Sequence, residues 1–517
     1  MKNNKNIIFI LLGLLMPVMV EAQELNDVMQ VANIELTKSK SLWFNTNNAA
    51  GLTITPLDNF SEVSVGYGLN NGDFKMAQSG KNESTLKFNT NGALNLGGIM
   101  LWGNFNYDNN TSKESCYNTG LYNPFRDMPY YIADPVISKW KRQSYDLNLK
   151  AASPILWNFM GFGCEVDYTS KTAAKQNDPR STNYYYTIQV RPGLLFKVND
   201  KHFFGINALY ENLYERSRPE NSNEQIDQPV FIMRGLGNYT ADVLGGIGGI
   251  GTTYYKGNIL GGAFQYNYKG ALNALLNIKY NYKVEDAFMS PSKPQRLGST
   301  KQNVFEGNLQ LMIDGNYTHK LTLNYYDKST DGVEYIQVID NSYDVQQWVT
   351  VAKYVRSKYS LQVASLKYDF FAGNDRGYSW RAGVNGEYSN KSDEYYLPNS
   401  TLTAENIFAN IFAKKNFILG SKNALLFGLN IGYSKNIDGE YVYGGANASS
   451  QLVTEMFKND IAFLTSDYLR LGGELNFSFL VAKKMSMFLS AKCQYLNPSS
   501  DEFDSRINAN FSIGLTF

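Results

Sequence analysis

His202 and His319 are the whole imidazole supply of a 517-residue chain, so histidine-based general-base catalysis must run through one of them. A hydrolase would set such a histidine beside a serine and an aspartate. No GxSxG, HExxH or GxxxxGKS/T motif occurs anywhere in the chain. Cys116, Cys164 and Cys493 lie far apart with no CxxC; they imply neither a zinc site nor a disulfide framework, although one pair could bridge. The run Gly245-Gly246-Ile247-Gly248-Gly249-Ile250-Gly251 lacks a following Lys-Ser/Thr, and reads as a flexible loop or close-packed strand end. Asp327, Asp331 and Glu334 offer carboxylates to a calcium ion, but their spacing is not that of a defined calcium loop; they read as a solvated acidic turn. The expectation is therefore no enzyme, no cofactor and no metal. A net charge of +1 also argues against a nucleic-acid partner, which needs a concentrated basic surface.

The elements that would carry any function begin with an export signal. Lys2 and Lys5 precede the apolar run Ile7 to Val20, and Val20-Glu21-Ala22 presents short residues to a signal peptidase. Residues 1–22 are read as a signal peptide, with cleavage before Gln23. No later stretch is apolar enough for a spanning helix, and mean hydropathy is −0.34. Yet the chain holds 37 Tyr, 30 Phe and 43 Gly but only 14 Pro, a composition suited to long two-faced strands.

Alternation confirms that suit. Leu276, Ile278, Tyr280 and Tyr282 oppose Asn277, Lys279, Asn281 and Lys283. Phe305, Gly307, Leu309, Leu311 and Ile313 oppose Glu306, Asn308, Gln310, Met312 and Asp314. Successive side chains of a strand point to opposite faces, so each run is a ribbon with one oily and one wet side. Such runs last ~10–14 residues, against ~5–6 for soluble strands, and match a tilted bilayer crossing. Short turns near Gly97-Gly98, Asn199-Asp200, Gly270 and Gly315-Asn316 alternate with polar stretches at 111–141, 170–183, 215–257, 285–301, 329–357, 391–401 and 437–465. Bacterial outer-membrane barrels have that asymmetry, and a soluble sandwich has no reason for it. The pattern predicts an all-β fold: a transmembrane antiparallel β-barrel of about 18 strands, within a range of 14–20, over residues 61–517.

The last segment places Phe511, Ile513, Leu515 and terminal Phe517 on one face. It resembles the C-terminal targeting strand of outer-membrane proteins, which implies recognition by the barrel-insertion machinery. Residues 23–60 break the strand pattern. Within them Trp43, Phe44, Asn45, Asn48 and Gly51 resemble the N-terminal segment of the fatty-acid channel family, which lies inside its barrel as a hatch; the Pro of that family is missing. The resemblance implies a lumen plug. The chain as a whole resembles an uncharacterised outer-membrane β-barrel family of the Bacteroidota, which implies the outer membrane of a Gram-negative bacterium.

The inward faces then carry Asp146, Lys150, Glu165, Asp167, Arg191, Lys279, Lys283, Glu306, Arg381, Glu387, Glu474 and Lys492. Rings of one sign select ions; mixed signs fit a neutral or zwitterionic solute, or internal salt bridging. The reading is a passive or gated channel, with outer-membrane lipid as its surroundings. The alternative is a non-conducting accessory barrel with an envelope protein partner. A hydrolase ranks last, because both histidines follow short turns at the periplasmic end. A TonB-dependent transporter is disfavoured, because the segment before the first strand is too short for a folded plug domain.

Overall fold

The computed structural model describes residues 30–517 apart from 224, 245–250, 291–293, 343–345, 375–376, 421 and 483. Among the described residues, eighteen strands make one closed antiparallel sheet. In chain order they begin with β1 (Phe60–Gly72), β2 (Asn82–Leu96) and β3 (Ile99–Ser115). After the two-residue β4 (Ile132–Ala133) come β5 (Ser138–Ala152), β6 (Met160–Lys175), β7 (Arg180–Lys197) and β8 (His202–Glu220). β9 (Gln228–Gly235) and β10 (Asn238–Leu244) stand outside the barrel sheet and pair with each other and with β4. The barrel resumes with β11 (Thr253–Tyr268), β12 (Asn273–Met289), β13 (Gln295–Ile313), β14 (Tyr317–Asp340) and β15 (Gln347–Asn374). It ends with β16 (Gly377–Tyr396), β17 (Asn399–Leu419), β18 (Asn423–Val442), β19 (Tyr468–Ala482), β20 (Met485–Pro498) and β21 (Arg506–Thr516).

Closure is by the first and last strands. β1 pairs with β21 from Glu62 opposite Thr516 to Gly72 opposite Arg506. Beyond that register, Phe517 and Ser61 exchange both backbone hydrogen bonds, at 2.6 and 2.9 Å. Among the described residues, every strand of the barrel sheet pairs on both sides. Alternation sorts the two faces as expected: Leu260 and Phe264 are exposed on the outside, while Tyr255, Gln265 and Asn267 of the same strand are buried within. Phe511, Ile513 and Phe517 are exposed on the outer surface, and Leu515 shares their side by parity.

The turns expected at Gly97-Gly98, Asn199-Asp200, Gly270 and Gly315-Asn316 all fall at one end, but the other end differs from expectation: it too has short connections, of four residues between β6 and β7 and two between β16 and β17. Only three long connections are loops proper, around 116–137, 221–252 and 443–467. The stretches 170–183, 285–301, 329–357 and 391–401 are mostly strand. The pair β14–β15 stays hydrogen-bonded, through register shifts at Gly332/Val333 and Ile336/Gln337, out to Asp340 opposite Gln347. Backbone groups there are satisfied by pairing, and the arm exposes apolar residues such as Ile336, Val338, Val349 and Val351. Asp327, Asp331 and Glu334 accordingly lie within β14 and not at a loop edge, and no cluster of metal-ligating side chains occurs among the described residues. The expected signal peptide, residues 23–29 and the glycine run at 245–250 lie outside the described residues.

Candidate functional site

The N-terminal segment lies inside the barrel wall at the short-turn end. It comprises α1 (Val31–Lys40) and two short 3-10 turns, Leu42–Asn45 and Ala49–Thr53. Leu42, Trp43, Asn48, Ala50 and Leu52 have no exposed surface. Trp43 Nε1 donates to Asn267 Oδ1 at 3.2 Å. The Asn48 amide donates to Leu194 O, Ile206 O and Gln265 Oε1, and its own Oδ1 accepts from Ala50 N at 3.1 Å. Phe44 meets Trp102 edge to face at 5.1 Å. Asn45 is exposed. Gly51 lies against the Trp43 ring, where a Cβ would sit 2.0 Å from ring carbons.

The wall is shaped to admit this segment. Gly163 on β6 and Gly193 on β7 leave space that Cβ atoms would fill at 2.1 Å from Ala50 N and 2.2 Å from Asn48 Oδ1. Polar clamps close over it. Lys150 donates to Phe44 O and Thr46 O at 2.9 and 3.0 Å, and Lys320 to Ser39 O at 2.8 Å. Glu35 of α1 is held by Tyr378 at 2.6 Å, Lys414 at 2.9 Å and Arg381 at 3.1 Å. Burial alone would raise the Glu35 pKa; Lys414, then Arg381, then the Tyr378 hydrogen bond outweigh it and hold the carboxyl at about 2.

The long-loop end is narrowed by loops folded inward. Tyr117, Leu121, Met128 and Tyr130 from 116–137 pack with Met233, Leu236, Leu452 and Met456. Below them Arg126 bridges Glu215 at 2.6 Å and Glu285 at 2.9 Å, with both carboxylates fully buried. Lys283 pairs with Glu285 at 2.6 Å, so two cations face two anions. From the 443–467 loop, α2 (Lys458–Leu464) points Asp460 into the cap, where it accepts from Ala77 N at 2.8 Å. Burial, the largest cause, raises its pKa to about 7 against the lowering effect of that hydrogen bond.

The charges expected to face inward group into separate networks. Lys150, Glu165, Arg191 and Asp167 form a chain of ion pairs from 2.6 to 3.7 Å, and Asp146 pairs loosely with Lys171. Lys279 pairs with Glu306 at 2.9 Å. Glu474 links Lys414 and Lys492 at 2.8 and 2.9 Å. Glu387 stands apart, beside a lumen cavity. Several of these groups thus clamp the inner segments; Lys150 and Arg381 face protein and not an open channel. Sequence reasoning missed Glu35, Arg126, Glu215, Gln265, Lys320 and Lys414. The wall residues among them were open to discovery by parity. Glu35 and Arg126 carried no local signal, because their partners come from remote strands. His202 and His319 sit among exterior aromatics, bonded to Tyr266 and Tyr368 hydroxyls at 2.8 and 2.7 Å.

Residues 49–517 match the family of unknown function DUF6850, and no curated protein matches the chain. Among solved structures, the ferric preacinetobactin receptor BauA of Acinetobacter baumannii is similar at 8% identity and TM-score 0.40, over 89% of this chain and 80% of that one. The copper transporter OprC is similar at 10% identity and TM-score 0.38, over 89% and 80%. A Pseudomonas aeruginosa FadL homologue is similar at 11% identity and TM-score 0.31, over 95% of each chain.

Proposed function

We propose, of a chain that belongs to the family of unknown function DUF6850, that it is a gated channel in the outer membrane of a Gram-negative bacterium, one of the Bacteroidota. The observation that carries the reading is the contrast between its two surfaces. The outer face exposes Leu260, Leu429, Ile431, Phe511 and many like them, a surface that lipid and not water would cover. The inner face is amide and charge around a cavity between the N-terminal segment and the loop cap. In this arrangement the N-terminal segment is a plug held by apolar clusters around Leu36, Trp43 and Leu52 and by polar clamps, the latter of which water can replace on release. The mixed, paired lumen charges support a small neutral or zwitterionic solute. No catalysis is proposed, since both imidazoles lie on the outside.

Planar-bilayer recording tests this. The full chain should give rare or small conductance steps, and deletion of residues 23–60 should enlarge them. Absence of steps in both sinks the channel. The buried Arg126 cluster would then be read as the base of a rigid outer surface for an envelope protein partner, in a non-conducting barrel.

A further inference from the structure

Register stacks the inward side chains of β16–β19 in rows. Asn385, Asn410, Gly432 and Arg470 face one another on neighbouring strands. The next row toward the loop end is Glu387, Phe408, Ser434 and Tyr468. These rows line two adjoining cavities of about 370 and 330 Å³ that share Asn385, Asn410 and Arg470. Below, the neighbouring charges neutralise each other: Arg381 with Asp369 and Glu35, Lys367 with Asp369, Lys414 with Glu35 and Glu474. Arg470 and Glu387 do not. Among the described residues neither has an opposite charge in salt-bridge range. Arg470 lies over the Phe408 ring at 5.2 Å and donates from Nε and Nη2 to the neutral Gln494 side-chain oxygen at 2.6 and 3.3 Å, and the buried Oδ1 atoms of Asn410 and Asn430 accept no hydrogen bond. A buried acceptor left open in this way has a place for an incoming donor.

Three strand spacings of ~4.8 Å separate the backbones of Glu387 and Arg470, roughly 14 Å along the wall. Two long side chains reaching inward across that distance leave room for one or two residues of ~3.5 Å each. We propose that this cavity binds a small zwitterion, an amino acid or dipeptide, with its carboxylate on Arg470 and its ammonium group on Glu387. The guanidinium matches a carboxylate with two parallel donors, and Asn410 Oδ1 receives the peptide N–H. The site rests on the channel reading and narrows its solute class.

Titration calorimetry of the full chain in detergent, with three probes, decides it. Glycylglycine should bind, and N-acetylglycylglycine and glycylglycinamide should each bind about tenfold more weakly, as loss of a charge-assisted pair implies. Arg470→Gln should abolish discrimination against glycylglycinamide and keep discrimination against the acetylated probe; Glu387→Gln should do the reverse. Each variant's retained preference reports that its barrel is folded. Equal binding of the three probes, no binding, or preferences unchanged in both variants would overturn the site. Conductance is scored separately: steps without glycylglycine affinity sink the site and leave the channel, while affinity without steps keeps the site and sinks the channel.

Discussion

Glu35→Gln should release the N-terminal segment while leaving the barrel intact. The wild-type carboxylate answers two cations and a phenol, and its pKa falls from 4.5 to about 2. At ~1.36 kcal/mol per pKa unit the shift is worth roughly 3 kcal/mol. The side chain is 23% exposed, so solvent screening brings the figure to about 2–3 kcal/mol, a roughly 30- to 150-fold change in the docked-to-released ratio. Lys40→Gln is the matched comparison, because the Lys40–Asp314 pair at 3.0 Å is 38% and 42% exposed and should contribute at most about 1 kcal/mol. The readout is maleimide labelling of a cysteine placed at Ala32, which is 2% exposed, with Cys116, Cys164 and Cys493 changed to serine. Labelling should accelerate by that 30- to 150-fold in Glu35→Gln and less than about fivefold in Lys40→Gln. The sign with pH follows from the depressed pKa. The docking contribution is fully present above pH 4.5 and is lost as pH falls toward about 2, so channel opening should rise across that window in the wild type and not in Glu35→Gln. Equal labelling of the two variants would refute the assignment of Glu35 as the anchor.

Gly163→Val should expel the second 3-10 turn, since even a Cβ meets Ala50 N at 2.1 Å; the Ala32 cysteine should label as fast as in Glu35→Gln, with the folded barrel retained on unheated gels. Asp460→Asn should remove a pH dependence from the cap. Because the folded-state pKa is raised to about 7 from 3.8, the wild-type cap loses stability as pH rises from about 4 to 7, and proteolysis within 443–467 should quicken over that range only in the wild type. His202→Phe with His319→Phe should leave conductance unchanged and lower barrel stability by about 1 kcal/mol per lost tyrosine hydrogen bond, measured by urea unfolding. A loss of conductance would refute the exterior placement of the two imidazoles. Deleting Phe517 should reduce assembly in membranes, because it removes the last backbone pair with Ser61; unimpaired insertion would refute the signal role of that end.

Period-two patterning by itself determined the barrel, its approximate strand number and the direction of most wall side chains, because a strand's alternation is a local property and lipid against water makes it visible. Lys279, Glu306 and Phe511 were legible for that reason. The outer ends of β14 and β15 were legible only in part: residues 347–357 read as an extra strand or a loop hairpin, and only the pairing out to Asp340 and Gln347 makes them one long arm. Trp43, Asn48 and Gly51 were noticed through a resemblance, but their neighbours were beyond reach. Tertiary structure alone decided that Glu35 meets Arg381 and Lys414, that Arg126 joins Glu215 to Glu285, and that Arg470 and Glu387 share one cavity, each without an opposite charge in salt-bridge range. Those relations span strands distant in the chain, and they depend on barrel closure and register, which bring together side chains that no local pattern relates.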